Sequence, residues 1–533
     1  MAVITPQTDL YLLKVPLEID EMNQLTFANA TAQYNYFNSL PKLTVDDFTY
    51  QRKDGTIRFP AQFDSIVNYN YVMYRNDEFS NKWFYAYIKG IEYINDSVTA
   101  ITIKTDVWQT WQFDLTFKRT FVEREHVNDD SIGNNTIYEG LEVGEYLINS
   151  STTLKPNKTV KDHDNNAINW TYPIVFQVTG LTNVIHEAVN YYNSEYNGIF
   201  SGLYYFGVCS LTDARSIIRE YNADQNGNKI ESIFLAPKEF FQGAHKVTGG
   251  GISIYVPPDS SNISSLLDTT TISRPNTLNG YTPKNNKLYT YPFSYVYVTN
   301  NTGIDTEFKY EDFKNATPKF YMGGALGQGC TIKLCPVDYK GNNNTETFEY
   351  GVMGAKYPVC AWATDYYTNW LTQNAVNVNL GMASGVISAG ANFLSGNVTG
   401  TANSLLSGIG GVMAQMQSAK AHPDQANGNT NSSDIMIGWQ RYFTVDCMSV
   451  RAEVARSIDE YFSMFGYKVN RVKIPNVTGR TNWNFVKTVG CYIDGDIPQD
   501  DMQEIKSMFD KGVTFWHNPS TFMDYSQNNT IVS

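Results

Sequence analysis

The chain has 533 residues, enough for several domains that each have their own hydrophobic core. Aromatic residues make up 14% of it, charged residues only 17%, and the formal net charge at pH 7 is −13. This acidic balance argues against a protein that grips nucleic acid through a basic surface. The many Tyr, Phe, Thr, Val and Ile residues, together with abundant Asn and Gly for turns, favour a mainly β fold.

The six cysteines are scattered along the chain. The closest two, Cys330 and Cys335, lack the spacing and the second pair that a zinc ribbon requires. All six cysteines are typical of reduced core residues in a protein made in a cytoplasm. The N-terminus has no basic stretch followed by an apolar core, so no secretory signal is predicted.

Residues 1–150 form a predicted β-rich domain. Aromatic and β-branched runs predict strands at 56–59, 67–75, 82–93, 98–104 and 117–125. Asn95 and Asp96 lie between two of these runs and predict a hairpin turn.

Residues 151–365 form a second predicted β-rich region with irregular loops. Its predicted strands are 174–179, 253–256, 289–299 and 331–334. Two helices are predicted, at 181–192 and 211–221. Thr212 or Asp213 is positioned to cap the second helix.

The third segment, residues 366–434, contains the least typical feature of the sequence. Between Asp365 and Lys420 there is no Asp, Glu, Lys or Arg, and the stretch is rich in Gly, Ala, Ser and Asn. It is too apolar for a solvated loop and too polar for a constitutive transmembrane span. The polar tract that follows, residues 421–434, is typical of a mobile loop.

Within this insert, apolar residues from Leu405 to Met416 recur at helical spacing, opposite a face of Ser, Gly and Gln. Gly381 and Gly385 have the small-residue spacing that lets helices approach closely. Two alternatives stay open: a buried helical hairpin or linker, and a segment that is stored in the protein and later enters a membrane. For the second alternative, the candidate membrane-active residues are Leu380, Gly381, Gly385, Val386, Ile387, Phe393, Leu394, Leu405, Leu406, Ile409, Val412, Met413 and Met416.

Residues 435–533 form a predicted α+β module. A helix is predicted at 451–465, with Gly466 as its stop, followed by strands at 467–474 and 484–493. A second helix is predicted from Pro498 to Lys511, capped by Asp496 and ended by Gly512, before a strand at 513–516.

Patterns that would indicate catalysis are weak. The six histidines have no neighbours at metal-ligand spacing. Glu123, Glu125 and His126 bring carboxylates near an imidazole. In a strand, however, Glu123 and Glu125 lie on one face and His126 on the other, which favours structural ion pairs. The sequence therefore predicts no enzymatic activity, no catalytic residue, no metal and no cofactor.

Several segments together resemble the tail knob (distal tube) proteins of small short-tailed phages of Gram-positive bacteria, the Bacillus-podophage type. In the N-terminal part they are NKWFYA (81–86), TDVWQTWQFD (105–114) and FVEREHV (121–127). In the C-terminal part they are FGYKVNRVK (465–473), NFV (484–486), DGDI (494–497), QEI (503–505) and FDKGVTFWH (509–517). They follow the family order, and the uncharged insert lies between them in the expected place.

The resemblance implies a virion protein of the distal tail that acts at the host envelope and membrane. It implies a homohexameric tube of β-barrel domains, with residues 1–150 in the wall, 151–365 in outer or middle domains, and 435–533 completing the wall. The insert would plug the tube and then penetrate the host membrane, so that the channel carries the genome out. The implied partners are a lower collar or tail tube protein, a tail-tip lysin, the host membrane, and phage DNA that passes without sequence-specific binding.

An alternative function is a host-surface receptor or cell-wall binding component of the tail tip. In this case the aromatic-rich β domains would bind sugars, and clustered tyrosines and tryptophans around residues 289–297 and 362–370 would favour it. A wall-digesting enzyme is a third possibility, and it is disfavoured because no carboxylate pair or Cys-His arrangement stands out.

Overall fold

The computed structural model describes residues 8–46, 55–76, 81–170, 173–182, 195–196, 199–200, 204–223, 229–257, 267–326, 330–341, 352–356, 359–364, 425–429, 442–478, 484–527 and 529. The described fold is mainly β. Its α-helices are α1 (Ala30–Ser39), α2 (Phe63–Ile66), α3 (Val107–Trp111), α4 (Leu211–Ala223), α5 (Ala452–Phe465) and α6 (Gln499–Lys511).

The strands follow one another in chain order. Strands β1 to β9 are Thr8–Leu13, Asn23–Leu25, Lys42–Val45, Thr56–Phe59, Tyr71–Asn76, Trp83–Asn95, Val98–Thr105, Thr116–Phe117 and Thr120–Glu125. Strands β10 to β20 are Tyr146–Leu154, Ile174–Val178, Glu195–Tyr196, Ile199–Phe200, Tyr204–Val208, Ile230–Leu235, His245–Gly249, Ile252–Val256, Leu267–Thr271, Ser294–Thr299 and Asp305–Phe308. Strands β21 to β30 are Lys319–Leu326, Cys330–Pro336, Val352–Lys356, Val359–Thr364, Gln425–Asn429, Phe443–Val450, Tyr467–Lys473, Asn484–Val489, Ile493–Asp494 and Val513–Trp516.

The chain divides into two compact units. Unit 1 combines residues 1–144, 281–288 and 452–533, and unit 2 combines residues 145–280 and 289–451. The chain therefore starts in unit 1, returns to it briefly at 281–288, and ends in it.

Unit 1 contains two main sheets. The first has the order β3-β1-β5-β6-β7-β4, and all of its described pairs are antiparallel. The second has the order β2-β30-β28-β9-β27 and joins strands from both ends of the chain. In it, β2 runs parallel to β30, with Asn23 opposite Thr514. Residues nearly 500 positions apart thus share one sheet.

Aromatic side chains dominate the core of unit 1. The rings of Phe37 and Tyr71 stack with centroids 5.6 Å apart, and Trp108 packs against Phe515 at 4.6 Å. The buried Asp106 caps α3 by accepting a hydrogen bond of 3.0 Å from the Gln109 amide. It also accepts a hydrogen bond of 2.8 Å from the Tyr71 hydroxyl. Burial nevertheless raises the pKa of Asp106 to about 6.

Helix α5 ends where the sequence places its stop. Ile458 and Phe462 are buried on one face of the helix, and Gly466 follows with a φ of 62°. A Cβ at Gly466 would lie 2.4 Å from the carbonyl carbon and oxygen of Glu125. Glycine is therefore required here both by the backbone conformation and by the close approach of β9.

The short segment 281–288 is fixed in unit 1 by one buried carboxylate. Asp459 of α5, 1% exposed, accepts hydrogen bonds from the Tyr281 hydroxyl at 2.8 Å and from the backbone amides of Lys284 and Asn285 at 2.7 and 3.0 Å. The side-chain amide of Asn285 donates a further bond of 2.9 Å. These bonds satisfy a charge that would be costly to bury alone.

A second buried carboxylate secures the end of the same segment. Lys287 contacts Glu139. The two terminal guanidinium nitrogens of Arg124, Nη1 and Nη2, also donate to Glu139, at 2.8 and 2.6 Å. Burial lowers the pKa of Lys287, while the charge of Glu139 opposes that shift.

Unit 2 is built on three larger sheets. Their orders are β16-β17-β14-β11-β15-β24-β25, β10-β26-β19-β20 and β18-β21-β22-β23. Most of its described core forms one continuous apolar cluster. At the centre of the seven-stranded sheet, the rings of Phe176 and Phe206 stack at 5.3 Å, and both are fully buried.

Several predicted elements are confirmed, among them the helices at 211–221 and 451–465 and the strands at 174–179, 253–256 and 513–516. The predicted helix at 181–192 lies almost entirely outside the described residues.

Two predicted helix caps are wrong. The side chain of Ser210, not Thr212 or Asp213, accepts a hydrogen bond at the start of α4, from the Asp213 amide at 3.3 Å. Helix α6 begins after Pro498, which has no capping side chain, so Asp496 is not the cap.

Two other predictions are wrong in part. The first half of the predicted strand 67–75 forms a turn after α2, because the Tyr69 amide bonds the Ile66 carbonyl. The predicted loop 421–434 contains strand β25, which pairs along one edge with β24.

Candidate functional site

The uncharged insert leaves and re-enters the fold on two paired strands. Strands β24 and β25 are antiparallel, and the pairing runs from Val359 opposite Asn429 to Thr364 opposite Gln425. The Cα atoms of directly opposed residues in such a ladder are about 4.5–5.5 Å apart. The whole stretch 365–424 therefore starts and ends at one point. We call β24 and β25 the stem.

The stem is anchored to the core of unit 2 through its first strand. Val359 of β24 pairs with Phe234 of β15, and β15 pairs along its length with β11, whose residues are all buried. Strand β25 is the last strand of this sheet within the described residues. The insert thus emerges from the edge of a sheet whose interior is a packed core.

The membrane-active residues proposed from the sequence, from Leu380 to Met416, all lie outside the described residues. Their helical spacing and their packing stay predictions. The structure describes the two strands of the stem, which flank these residues in the chain, and the sheet behind the stem. Sequence reasoning missed β25, because the run Gln425–Asn429 (QANGN) has neither alternation nor β-branched residues.

The stretch around His126 carries structural ion pairs, as the sequence predicts. The fully buried Glu125 contacts Lys473, and Glu123 lies 3.0 Å from Lys487. The ring of His126 is also fully buried, where Nδ1 accepts a hydrogen bond of 2.6 Å from the Phe485 amide. These groups hold β9 to its neighbours β27 and β28.

Metal binding and membrane-spanning helices are two further features to compare with the sequence predictions. No three His, Cys, Asp or Glu side chains in the described parts of the chain converge closely enough to bind a metal ion. None of the helices described is sufficiently long and apolar to span a bilayer.

Comparison with known proteins gives a consistent result. The chain is 27% identical to the tail knob protein gp9 of Bacillus phage phi29, with 98% of both chains covered. It is 25% identical to the tail knob protein gp9 of Bacillus phage B103, with 97% of both covered. The tail knob protein gp12 of bacteriophage C1 has the same fold. It is 14% identical, with a TM-score of 0.67, over 98% of this chain and all of that one.

Two family descriptions match separate parts of the sequence. Residues 7–116 match the N-terminus of caudoviral major tail proteins. Residues 260–530 match the C-terminal domain of the Bacillus phage phi29 tail knob protein gp9. Because this second match spans more than half of the chain, the protein belongs to the family of phage tail knob proteins related to phi29 gp9.

Proposed function

We propose that this tail knob protein forms a hexameric tube through which the phage genome leaves the virion. The inserts of the six copies plug the tube and then penetrate the host membrane. The observation that carries the proposal is the stem: Thr364 and Gln425 lie directly opposite each other, so residues 365–424 form an excursion from one point. Such an excursion can change its surroundings without breaking the sheet behind it.

The chemistry of the insert supports this division between a fixed body and a movable loop. It carries no Asp, Glu, Lys or Arg between Asp365 and Lys420, so no charge opposes its transfer into a lipid phase. Its Gly and Ser residues are small enough for close contacts between helices, while Ile409 and Val412 lie on the predicted apolar stripe. In the closed tube, the same stripe would be hidden from water by packing between copies.

The surface of unit 1 supports assembly of several copies. Phe121 of β9 is the cross-strand neighbour of Val472 on β27 and of Val489 on β28. All three side chains are exposed, Val472 to 62%. We call these three residues the apolar row. A row of exposed apolar residues across three strands is typical of a surface that another protein covers, and a second copy of the chain would cover it in a ring.

Acidic charge suits the passage of DNA. The formal charge of −13 per chain repels a polyanion instead of holding it. We propose that DNA slides through the lumen unbound, and that a lower collar or tail tube protein and a tail-tip lysin are the neighbouring tail components.

Replacing residues 365–424 with the dipeptide Asn-Gly tests the proposal. Directly paired antiparallel strands are joined well by a two-residue type I′ turn, so the shortened chain should fold and assemble like the native one. It should not release dye from liposomes, whereas the native chain should do so once its insert is exposed. A milder deletion of 375–419 should behave in the same way. Loss of folding in both variants would show that the insert is part of the core and would overturn the proposal.

A double substitution within the insert separates membrane entry from folding. Ile409→Asp with Val412→Asp places two charges on the predicted lipid-facing stripe, at about 2.5–3.5 kcal/mol each on insertion scales. Particles carrying it should assemble and adsorb but should neither release dye nor deliver DNA. The matched control, Ile409→Leu with Val412→Ile, should behave like the native protein. Normal DNA delivery by the Asp variant would show that the insert is only a plug or linker.

A further inference from the structure

A cluster of tyrosines lies on one face of the sheet β10-β26-β19-β20 in unit 2. Val296 and Val298 of β19 point into the core, so Tyr295 and Tyr297, which alternate with them, lie on the opposite face. The ring of Tyr146 from β10 meets the ring of Tyr295 edge-on, with centroids 5.0 Å apart.

A fourth tyrosine extends this surface. The ring of Tyr291 lies 6.2 Å from that of Tyr295. Tyr295 itself is nearly covered, whereas Tyr146, Tyr291 and Tyr297 are half-buried and keep part of their rings open to solvent. We call Tyr146, Tyr291, Tyr295 and Tyr297 the tyrosine face.

Carboxylates share this face. Asp446 on β26 and Glu307 on β20 are the cross-strand neighbours of Tyr297, and the Tyr297 hydroxyl donates to Asp305 at 2.6 Å. The pKa of Tyr297 is raised mainly by that hydrogen bond, with smaller contributions from the charges of Asp446 and Glu307. The three carboxylates therefore converge around one tyrosine.

One oxygen of these carboxylates has no donor among the described residues. Asp446 is only 8% exposed, and within the described residues its Oδ1 atom accepts no hydrogen bond. Buried acceptors in folded proteins are nearly always satisfied, because a buried acceptor without a donor loses the hydrogen bonds that water gave it. The Asp446 carboxylate therefore keeps unused acceptor capacity beside Tyr297.

The chemistry of the face restricts what can bind there. Its carboxylates accept hydrogen bonds and repel anions. A nearby cation, Lys309, lies over the ring of Tyr291 at 4.3 Å. No metal-binding group of three side chains is found among the described residues. A fitting ligand therefore has several hydroxyl donors, no negative charge, and a flat apolar side that packs on a tyrosine ring.

A neutral pyranose sugar has these properties, because its hydroxyls lie at the edge of the ring and its C–H groups form a flat face. We propose that the tyrosine face, with Asp446 and Glu307, is a binding site for uncharged glycans. In this site, Tyr291 and Tyr146 pack against the sugar, and the carboxylates of Asp446 and Glu307 accept its hydroxyls. The proposal is independent of the channel function and holds whether or not the insert enters membranes.

Saturation-transfer NMR on the full-length protein tests it, with glucose, galactose and N-acetylglucosamine as probes. At least one of these sugars should receive saturation on its ring C–H protons, and glucose 6-phosphate should bind more weakly. Tyr291→Ala and Asp446→Asn should each weaken binding of the responding sugar by roughly tenfold, the loss expected for one stacking or charged hydrogen-bond contact. Glu307→Gln should have a smaller effect in the same direction.

Tyr93→Ala is the matched control, because Tyr93 is an exposed tyrosine of unit 1 that also donates to an aspartate, Asp96, at 2.6 Å. It should leave sugar binding unchanged. The proposal is wrong if none of the neutral sugars binds at millimolar concentration, or if binding survives both Tyr291→Ala and Asp446→Asn. It is also wrong if Asp446→Asn alters the mass of the assembly and leaves sugar binding intact, since Asp446 would then receive its donor from a partner subunit.

Discussion

Each unit has an apolar core, but unit 1 adds buried carboxylates that fix separate stretches of its chain. Unit 1 joins three separate stretches of chain, and buried carboxylates such as Asp459 and Glu139 fix the shortest of them, residues 281–288. The seven-stranded sheet of unit 2 rests on a continuous apolar cluster, with stacked rings such as Phe176 and Phe206 at its centre. Apolar packing is nondirectional and tolerates many arrangements, whereas a carboxylate with several donors defines one geometry.

The difference matches the proposed tasks. Unit 2 carries the stem of an excursion that changes its surroundings, so its sheet has to stay intact when the insert leaves. Unit 1 carries the apolar row, so its stretches have to keep a fixed register for copies to meet correctly. The following substitutions test this contrast, in decreasing order of their expected effect on stability.

Phe206→Ala should destabilise unit 2 most strongly. The substitution removes a fully buried ring from the stack with Phe176, and such truncations cost about 3–5 kcal/mol in packed cores. Hydrogen exchange should accelerate in β11 and β14, while amides of β5 and β6 in unit 1 should keep their native rates. Phe206→Leu, which retains most of the volume, should cost clearly less. Equal acceleration in both units would show that they unfold as one.

Asp459→Ala should destabilise unit 1 by about 3 kcal/mol. Four donors, from Tyr281, Lys284 and Asn285, lose their acceptor, and buried donors without partners each carry a desolvation cost. Urea denaturation measures the loss in the free energy of unfolding, and hydrogen exchange in α5 shows whether the loss lies in unit 1. Asp496→Ala is the control, because Asp496 is exposed and caps no helix, and its substitution should be nearly neutral. A neutral Asp459→Ala would mean that the segment 281–288 is held by packing alone.

The sequence predicts elements well where local chemistry determines them. Helix α5 has its own apolar stripe and a glycine stop, and β30 is a β-branched and aromatic run, so both are found where expected. Strand β25 and the segment 281–288 have no such local signal. Their positions depend on partners far away in sequence, β24 for one and Asp459 for the other, and pattern reasoning on one sequence does not identify these partners.

The candidate site shows the same limit. The lack of charge marks the insert in the sequence, but the paired strands that flank it are found only in the structure. The orphan oxygen of Asp446 and its neighbouring tyrosines come from β10, β19 and β26, which are up to 300 residues apart. The aromatic cluster around 289–297 is visible in the sequence, but the carboxylate that completes it is not.

Glu239→Gln should stabilise unit 2 at alkaline pH by about 1–3 kcal/mol. Glu239 is 8% exposed, and burial raises its pKa to about 7 from an ordinary value of 4.5. Between these two values the folded state holds a proton that the unfolded state has lost. The free energy of unfolding therefore falls as pH rises from about 4.5 to 7 and stays level above that.

Urea titrations at pH 5 and pH 8 measure this difference. The native protein should be less stable at pH 8 than at pH 5, and Glu239→Gln should remove the part of this loss that Glu239 contributes. Glu145→Gln is the control, because Glu145 forms only an exposed ion pair with Arg451, and such pairs contribute little. An unchanged pH profile in Glu239→Gln would show that Glu239 is ionised in the folded state at neutral pH.

Val472→Lys should have the smallest effect on the folded chain and a clear effect on assembly. Val472 is exposed at the edge strand β27, so a lysine there costs the monomer no more than about 0.5 kcal/mol. In a ring, however, the same lysine would be buried against a neighbouring copy without a partner, which is expensive. Native mass spectrometry should therefore find a folded monomer in place of the native assembly. Ile19→Lys, which puts the same charge at an exposed apolar position outside the row, should assemble normally. If Val472→Lys assembles as well as Ile19→Lys, the apolar row is not the contact between copies, and the fixed register of unit 1 serves another purpose.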